Sequence, residues 1–234
     1  MVPAAQAEDQ TQSQSQSGPT RAELENIIVI GTRAGDRTAL DTPVPVDVLG
    51  GNELRASGAV AGEVGQALSV LAPSFNFPRQ SNSGTSDLVR AGQLRGMSPD
   101  QMLVLVNGRR RHTSAIVNTE TKIGRGTAAV DFNNLPLNAL QRVEVLRDGA
   151  GALYGSDAIA GVINLVLDDS LGFESNIAYG QHWTDLKPIG DDINDGETFT
   201  LDAKYGWQLA DDGFAIAGAA YRNRNGTNRA GFDQ

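Results

Sequence analysis

The sequence predicts an α+β unit, a small mixed sheet with short helices, reaching to about residue 168, followed by long antiparallel strands. Three observations lead there. Short apolar runs of strand length, such as Met102-Leu103-Val104-Leu105-Val106 and Val162-Ile163-Asn164-Leu165-Val166-Leu167, are separated by turn signals and brief helical spacings. After Asp168 the pattern changes to alternation of apolar and polar residues. The chain has 27 glycines and no cysteine among 234 residues, which suits a turn-rich β protein without a disulfide framework.

Composition narrows function as well. Lys and Arg number 19 against 28 Asp and Glu, a net charge of −9, and residues 169–234 carry 5 basic and 11 acidic side chains. So acidic a chain does not suit nucleic acid, whose phosphates need a basic surface. Without cysteine there is no thiolate metal site or Cys nucleophile, and His112 and His182 alone do not build a multi-histidine zinc site. No apolar run approaches a spanning helix, so any membrane crossing is made by strands. No catalytic grouping, metal site or cofactor site emerges, and an enzyme is not expected. The run Gly149-x-Gly151-x-x-x-Gly155 imitates a dinucleotide-binding turn. Asp148, however, puts negative charge where a pyrophosphate would approach, and the helix before Gly161 is too short to cover a parallel sheet.

The elements follow in order. Ala5-Gln6-Ala7 fits the small-residue pattern of an export-signal cleavage site, or is simply part of a polar tail. Residues 8–26 are rich in Gln and Ser and are expected to be disordered. Ile27-Ile28-Val29-Ile30-Gly31-Thr32-Arg33 is β-branched and favours an extended edge strand or addition to a partner's sheet. Thr42 to Leu49 is a second extended stretch, confined to an edge by Pro43 and Pro45. Asn52-Glu53-Leu54-Arg55 begins a turn or short helix, and apolar residues at 60, 64, 67, 68 and 71 predict a helix stopped by Pro73. Polar loops are expected over 76–92 and 113–134, on either side of the buried strand 102–106 and its Asn107-Gly108 turn. Leu140 to Leu146 alternates as a half-buried strand, Ala152 to Ala158 reads as a short helix, and 162–167 as another strand.

Beyond Asp168, Phe173, Ser175, Ile177, Tyr179 and Trp183 share one face of a strand. Phe199, Leu201, Ala203, Tyr205, Trp207 and Leu209 alternate with polar residues in the next, while the facing of 214–224 is ambiguous. A long acidic link over 184–196 and a tight turn at 210–213 resemble the alternating connections of an outer-membrane barrel, with Trp183 and Trp207 near opposite strand ends. A soluble antiparallel sheet with one dry face fits the same alternation.

Four stretches, in order, resemble the N-terminal part of a TonB-dependent outer-membrane receptor. Residues 27–33 are similar to its TonB box, although Ile30 stands where Thr is usual. Leu94-Arg95-Gly96-Met97 with 102–110 (MLVLVNGRR) resembles the block "RG…LVLVDGRR". Residues 134–147 resemble "IP…IERIEVLRG", and 152–164 (ALYGSDAIAGVIN) resemble "ALYGSDAIGGVIN". The resemblance implies a signal-peptide remnant at 1–7, a linker at 8–26, a TonB box at 27–33, an α+β plug domain at 34–168, and the first antiparallel strands of an incomplete transmembrane β-barrel at 169–234.

It further implies energy-coupled uptake, across the cell outer membrane, of a siderophore or other large nutrient. The plug would sit inside the barrel with its N-terminus in the periplasm. The partners would be TonB of the inner-membrane energy-transducing complex, outer-membrane lipid and an unidentified nutrient ligand. TonB would bind Ile27, Ile28, Val29, Ile30, Gly31 and Thr32. Arg95 and Arg147 match plug arginines that pair with barrel glutamates, here expected beyond Gln234. Arg79, Gln80, Asn82, Arg110, Arg111, His112, Thr113 and Asn118 would face ligand from the plug loops. Residues 169–234 have room for about three of the roughly 22 strands of a plugged transporter. A free-standing plug-like module that binds a periplasmic ligand or partner is the alternative.

Overall fold

The computed structural model describes residue 30 and residues 44–59, 62–78, 88–119, 123–186, 191–209 and 213–227. The α+β unit is built on a five-stranded sheet. Its strands are β1 (Val46–Gly50), β4 (Met102–Val106), β5 (Arg109–Arg110), β6 (Leu140–Leu146) and β7 (Gly161–Leu167), in the spatial order β1-β6-β7-β4-β5. Only β4 and β7 run parallel, and the other neighbours are antiparallel. As Pro45 foreshadows, β1 is an edge strand. The antiparallel pairing of β6 with β7 removes the dinucleotide-binding geometry, which needs a parallel crossover.

Helices α1 (Gly51–Ala56) and α2 (Val64–Leu71) and the short pair β2 (Phe75–Asn76) and β3 (Gln93–Leu94) cover one face of this sheet. Leu54, Leu68, Phe75 and Phe132 pack there on Val104, Val143, Val145 and Ile163, and the Phe75 and Phe132 rings meet edge-on at 5.5 Å. The described part of the second helix begins only at Val64, because Glu63 is drawn into an isolated bridge with Pro136. The helix expected over 152–158 is divided into α3 (Gly151–Tyr154) and a 3-10 turn (Ser156–Ala158), because Gly155 lies between them at φ +95°.

The half-buried reading of Leu140 to Leu146 is corrected by the structure. Ile30, Ala150, Ala158 and Tyr154 cover the second face, where Leu103, Leu105, Leu146 and Val162 lie. Glu144, expected on a wet face, is therefore buried.

The remaining strands, β8 (Gly172–Leu186), β9 (Asp191–Leu209) and β10 (Gly213–Arg224), form a separate antiparallel sheet in the order β8-β9-β10. The link expected over 184–196 is mostly ladder: Thr184 pairs with Ile193 and Leu186 with Asp191. Backbone pairing thus continues after side-chain alternation has faded, which pattern reading does not see.

Candidate functional site

The register of the second sheet decides its facing. Ile177 lies opposite Leu201, Tyr179 opposite Phe199, and Tyr221 opposite Leu201 on the other side, so one face is continuous apolar surface. That face is the exposed one: Phe173, Ile177 and Tyr179 are each about 67% exposed and Leu201 39%. The opposite face of β9, formed by Thr198, Thr200, Asp202 and Lys204, is buried against the α+β unit. A water-soluble sheet buries its apolar face, and this one is inverted. Trp183 and Trp207 lie toward opposite ends of the sheet, with Trp207 stacked on Tyr205.

Ionic contacts join the buried polar face to the α+β unit. Lys204, with no side-chain exposure, donates to the Asp168 carboxylate and to Ser170 Oγ at 2.7 Å, and Glu174 lies 3.4 Å away. Partial burial opposes the Asp168 charge, yet hydrogen bonds from Lys204 and Ser170 outweigh it and hold the carboxyl below its usual value. Higher on the sheet, Glu63 at the head of α2 is 3% exposed and its Oε1 accepts from Arg222 at 3.4 Å and Arg224 at 3.3 Å.

Of the expected partner-binding segment, Ile27, Ile28, Val29, Gly31 and Thr32 lie outside the described residues, as do Arg79, Gln80 and Asn82 of the loops. Ile30 is buried on the second face of the sheet, and its N–H donates to Glu144 Oε2 at 3.4 Å. Glu144 also accepts from Asn164 Nδ2 and Arg142 Nε, both at 2.9 Å, while Asn164 Oδ1 takes the Gly108 N–H at 2.9 Å.

Arg95 and Arg147 are brought together, but the partners seen are acids of the same unit. Arg95 donates to the Arg147 carbonyl at 3.2 Å and lies 3.5 Å from Asp148, while Arg147 Nε is 2.8 Å from Asp47. Both guanidinium side chains stay about half exposed. Arg110, Arg111, His112 and Thr113 share a cleft of about 500 Å³ with Asp100 and Asp157. Within it the Arg110 guanidinium is engaged by Asp157 and by the Tyr154 carbonyl at 2.8 Å. Asn118 lies apart, where it closes its own loop by donating from Nδ2 to the Ile123 carbonyl at 2.9 Å. Among the described residues no group of three or more His, Cys, Asp or Glu is placed to hold a metal ion.

A family model described as the TonB-dependent receptor plug domain matches residues 38–162, more than half of the chain. The chain belongs to this family. The vitamin B12 transporter BtuB of Vibrio vulnificus is 38% identical over 84 residues, which are 36% of this chain and 12% of that protein. The ferric enterobactin receptor PirA of Pseudomonas aeruginosa is 36% identical over 94 residues, 40% of this chain and 12% of its own length. Among solved structures, the ferric enterobactin receptor PfeA has a TM-score of 0.57 at 22% identity, covering 76% of this chain and 24% of that one. The siderophore receptor PirA of Acinetobacter baumannii gives 0.53 at 22% identity, with the same coverage of 76% and 24%. The chain therefore spans about a quarter of these receptors, and the likeness is one of fold. The named relatives are transporters and receptors rather than enzymes.

Sequence reasoning missed the plug residues Glu63, Glu144 and Asn164 and the strand residues Lys204, Arg222 and Arg224. A signal existed for two of them. Glu144 and Asn164 each interrupt an apolar run, and opposed across adjacent strands they form one polar pair inside an apolar face. Nothing in the local pattern pairs Glu63 with Arg222, 159 residues away.

Proposed function

We propose that the chain is the plug and first wall strands of an outer-membrane receptor that imports a large nutrient, of the siderophore or cobalamin class, by energy coupling to TonB. The observation that carries this reading is the inverted facing of the second sheet: its apolar side chains point outward, as hydrocarbon requires, and the polar side of its central strand β9 lies inward against the plug. Family membership supports it, and so do relatives that transport vitamin B12 and bind ferric enterobactin.

In this reading residues 8–26 are a periplasmic linker, 27–33 the TonB-binding strand, 34–168 the plug and 169–234 the start of the wall. The short connection between Leu209 and Gly213 lies at the end of the sheet where Gly172 enters, so that end is periplasmic. β7 ends there, and so does β4 at its Asn107-Gly108 turn. The plug loops that leave the opposite end then face the outside and its ligand.

The test uses cells whose receptor contains this chain, with labelled cobalamin and labelled ferric enterobactin as probes. One of the two is expected to accumulate in an energy-dependent way. Ile28→Pro, which removes a backbone donor from the strand to be added, should abolish uptake and spare surface binding. Uptake indifferent to Ile28→Pro, or no uptake of either probe, would count against the proposal.

A further inference from the structure

We infer that Asn225-Gly226, where the chain leaves β10, is a self-modifying site: Asn225 deamidates through a cyclic imide, and its conversion undoes the strap by which Glu197 ties β8 and the end of β10 to β9.

The chain has two Asn-Gly pairs, at 107–108 and 225–226, and the structure treats them oppositely. The reaction open to both needs only water. The backbone nitrogen of the glycine bonds to the asparagine Cγ, the Cγ–Nδ2 bond breaks, and Nδ2 leaves as ammonia with the proton that the glycine nitrogen gives up. Water then opens the five-membered imide at either carbonyl, leaving aspartate or isoaspartate. Glycine favours the step because no Cβ obstructs the ring. The nitrogen and the side-chain carbon must also be able to meet.

At Asn107 they are held apart. Its Oδ1 accepts the Leu167 N–H at 2.8 Å, and the Gly108 N–H donates to Asn164 Oδ1 at 2.9 Å. The Asn107 N–H is bound as well, to the Leu165 carbonyl at 2.9 Å. Nucleophile and electrophile are both tied to β7, so ring closure waits for the β4–β5 turn to open. At Asn225 the constraints are missing. Asn225 and Gly226 are exposed, and among the described residues the Gly226 N–H makes no hydrogen bond. A Cβ built at Gly226 would meet nothing within 4 Å, so the nitrogen is unobstructed. The Asn225 side chain has one contact among the described residues, Nδ2 donating to Glu197 Oε2 at 3.1 Å, which leaves Cγ open to attack.

That contact is what the reaction destroys. Glu197 is the centre of a strap: Oε1 accepts from Gln181 Nε2 of β8 at 3.4 Å, Oε2 from the Asn225 amide, and its carbonyl from the Asn225 N–H at 2.9 Å. Conversion replaces the amide donor by a carboxylate beside that of Glu197, and like charges repel. Isoaspartate also routes the main chain through the former side chain, adding one carbon just after β10 ends at Arg224.

The test incubates the full chain in detergent micelles at about pH 7 and about pH 9, then weighs and fragments its peptides. The peptide holding Asn225 should gain about 1 Da at least about tenfold faster than the one holding Asn107, and unfolding in urea should bring the two rates together. The gain should quicken with pH, because the attacking nitrogen must lose its proton. Gly226→Ala, whose methyl group has room, should slow the gain at 225 at least about tenfold and leave 107 unchanged. Equal rates at the two positions in the folded chain, or a gain at 225 indifferent to Gly226→Ala, overturn the site. Asn225→Asp supplies the product's charge directly. Hydrogen exchange at the amide of residue 225 should then rise about tenfold, and adding Glu197→Gln should reverse the rise by removing the repulsion. Exchange unchanged by Asn225→Asp overturns the strap.

Discussion

Glu144 gives the sharpest test of how this plug is held together. Its carboxylate is 1% exposed and accepts from Asn164 Nδ2 and Arg142 Nε at 2.9 Å and from the Ile30 N–H at 3.4 Å. Glu144→Gln keeps the shape but turns an amide N–H₂ toward donors, at a cost of about 1–2 kcal/mol. Glu144→Leu strands the buried Asn164 amide and the Ile30 N–H, while Arg142, less deeply buried, turns to water. The desolvated groups cost about 4 kcal/mol, and new apolar burial returns about 1–2, so the net loss is about 2–3 kcal/mol. Adding Asn164→Leu should recover about 1 kcal/mol, and no more, because Asn164 also holds Gly108 at the β4–β5 turn. Urea unfolding followed by far-UV circular dichroism gives the stability, and hydrogen exchange at the Ile30 amide gives the local effect. If Glu144→Leu matches the parent within about 0.5 kcal/mol, the carboxylate is not the buried hub described here. A destabilised variant with unchanged exchange at Ile30 would refute the link to the N-terminal segment.

Two further outcomes are expected. Leu201→Arg puts a charge on the outer face of β9, and in a bilayer it should cost about 2–4 kcal/mol if near the midplane. If β8–β10 were a water-soluble sheet, the same change would improve solubility instead, so insertion into lipid vesicles separates the two cases. Asp168 titrates below its ordinary 3.8 in the folded protein because hydrogen bonds from Lys204 and Ser170 outweigh partial burial. A carboxyl depressed in this way adds stability above its unfolded pKa and loses it as pH falls from about 4 through the folded value. Asp168→Asn should therefore flatten the acid limb of a pH-stability curve below about pH 4 and lower the plateau above it. An unchanged acid limb would exclude the Lys204 contact as its source.

Much of the plug was legible locally. The β4 and β7 runs are apolar enough to be buried on both faces, and Asn107-Gly108 marks its turn without tertiary help. The alternating polar residues of β6 predict a half-buried strand, and only the packing of Ile30, Ala150 and Ala158 over that face turns Glu144 inward. The charge of the Arg110-Arg111-His112 run is plain in the sequence, but its long-range partners are not: Arg110 is tied to Asp157 and to the Tyr154 carbonyl, acceptors more than forty residues away.

Three features are written in the sequence alone: the change of pattern near Asp168, the order of the family's motifs and the two-residue period of the strands that follow. These depend on local propensity and short-range pattern, which the chain carries wherever it is placed. Period two names two faces without saying which is wet, and it says nothing of which distant charges meet. The tertiary structure decided both: the polar side of β9 is buried on the plug, Lys204 finds Asp168, and Glu63 finds Arg222 and Arg224. Those outcomes depend on the docking of two sheets, and the energy of docking is a property of surfaces in contact rather than of any single segment.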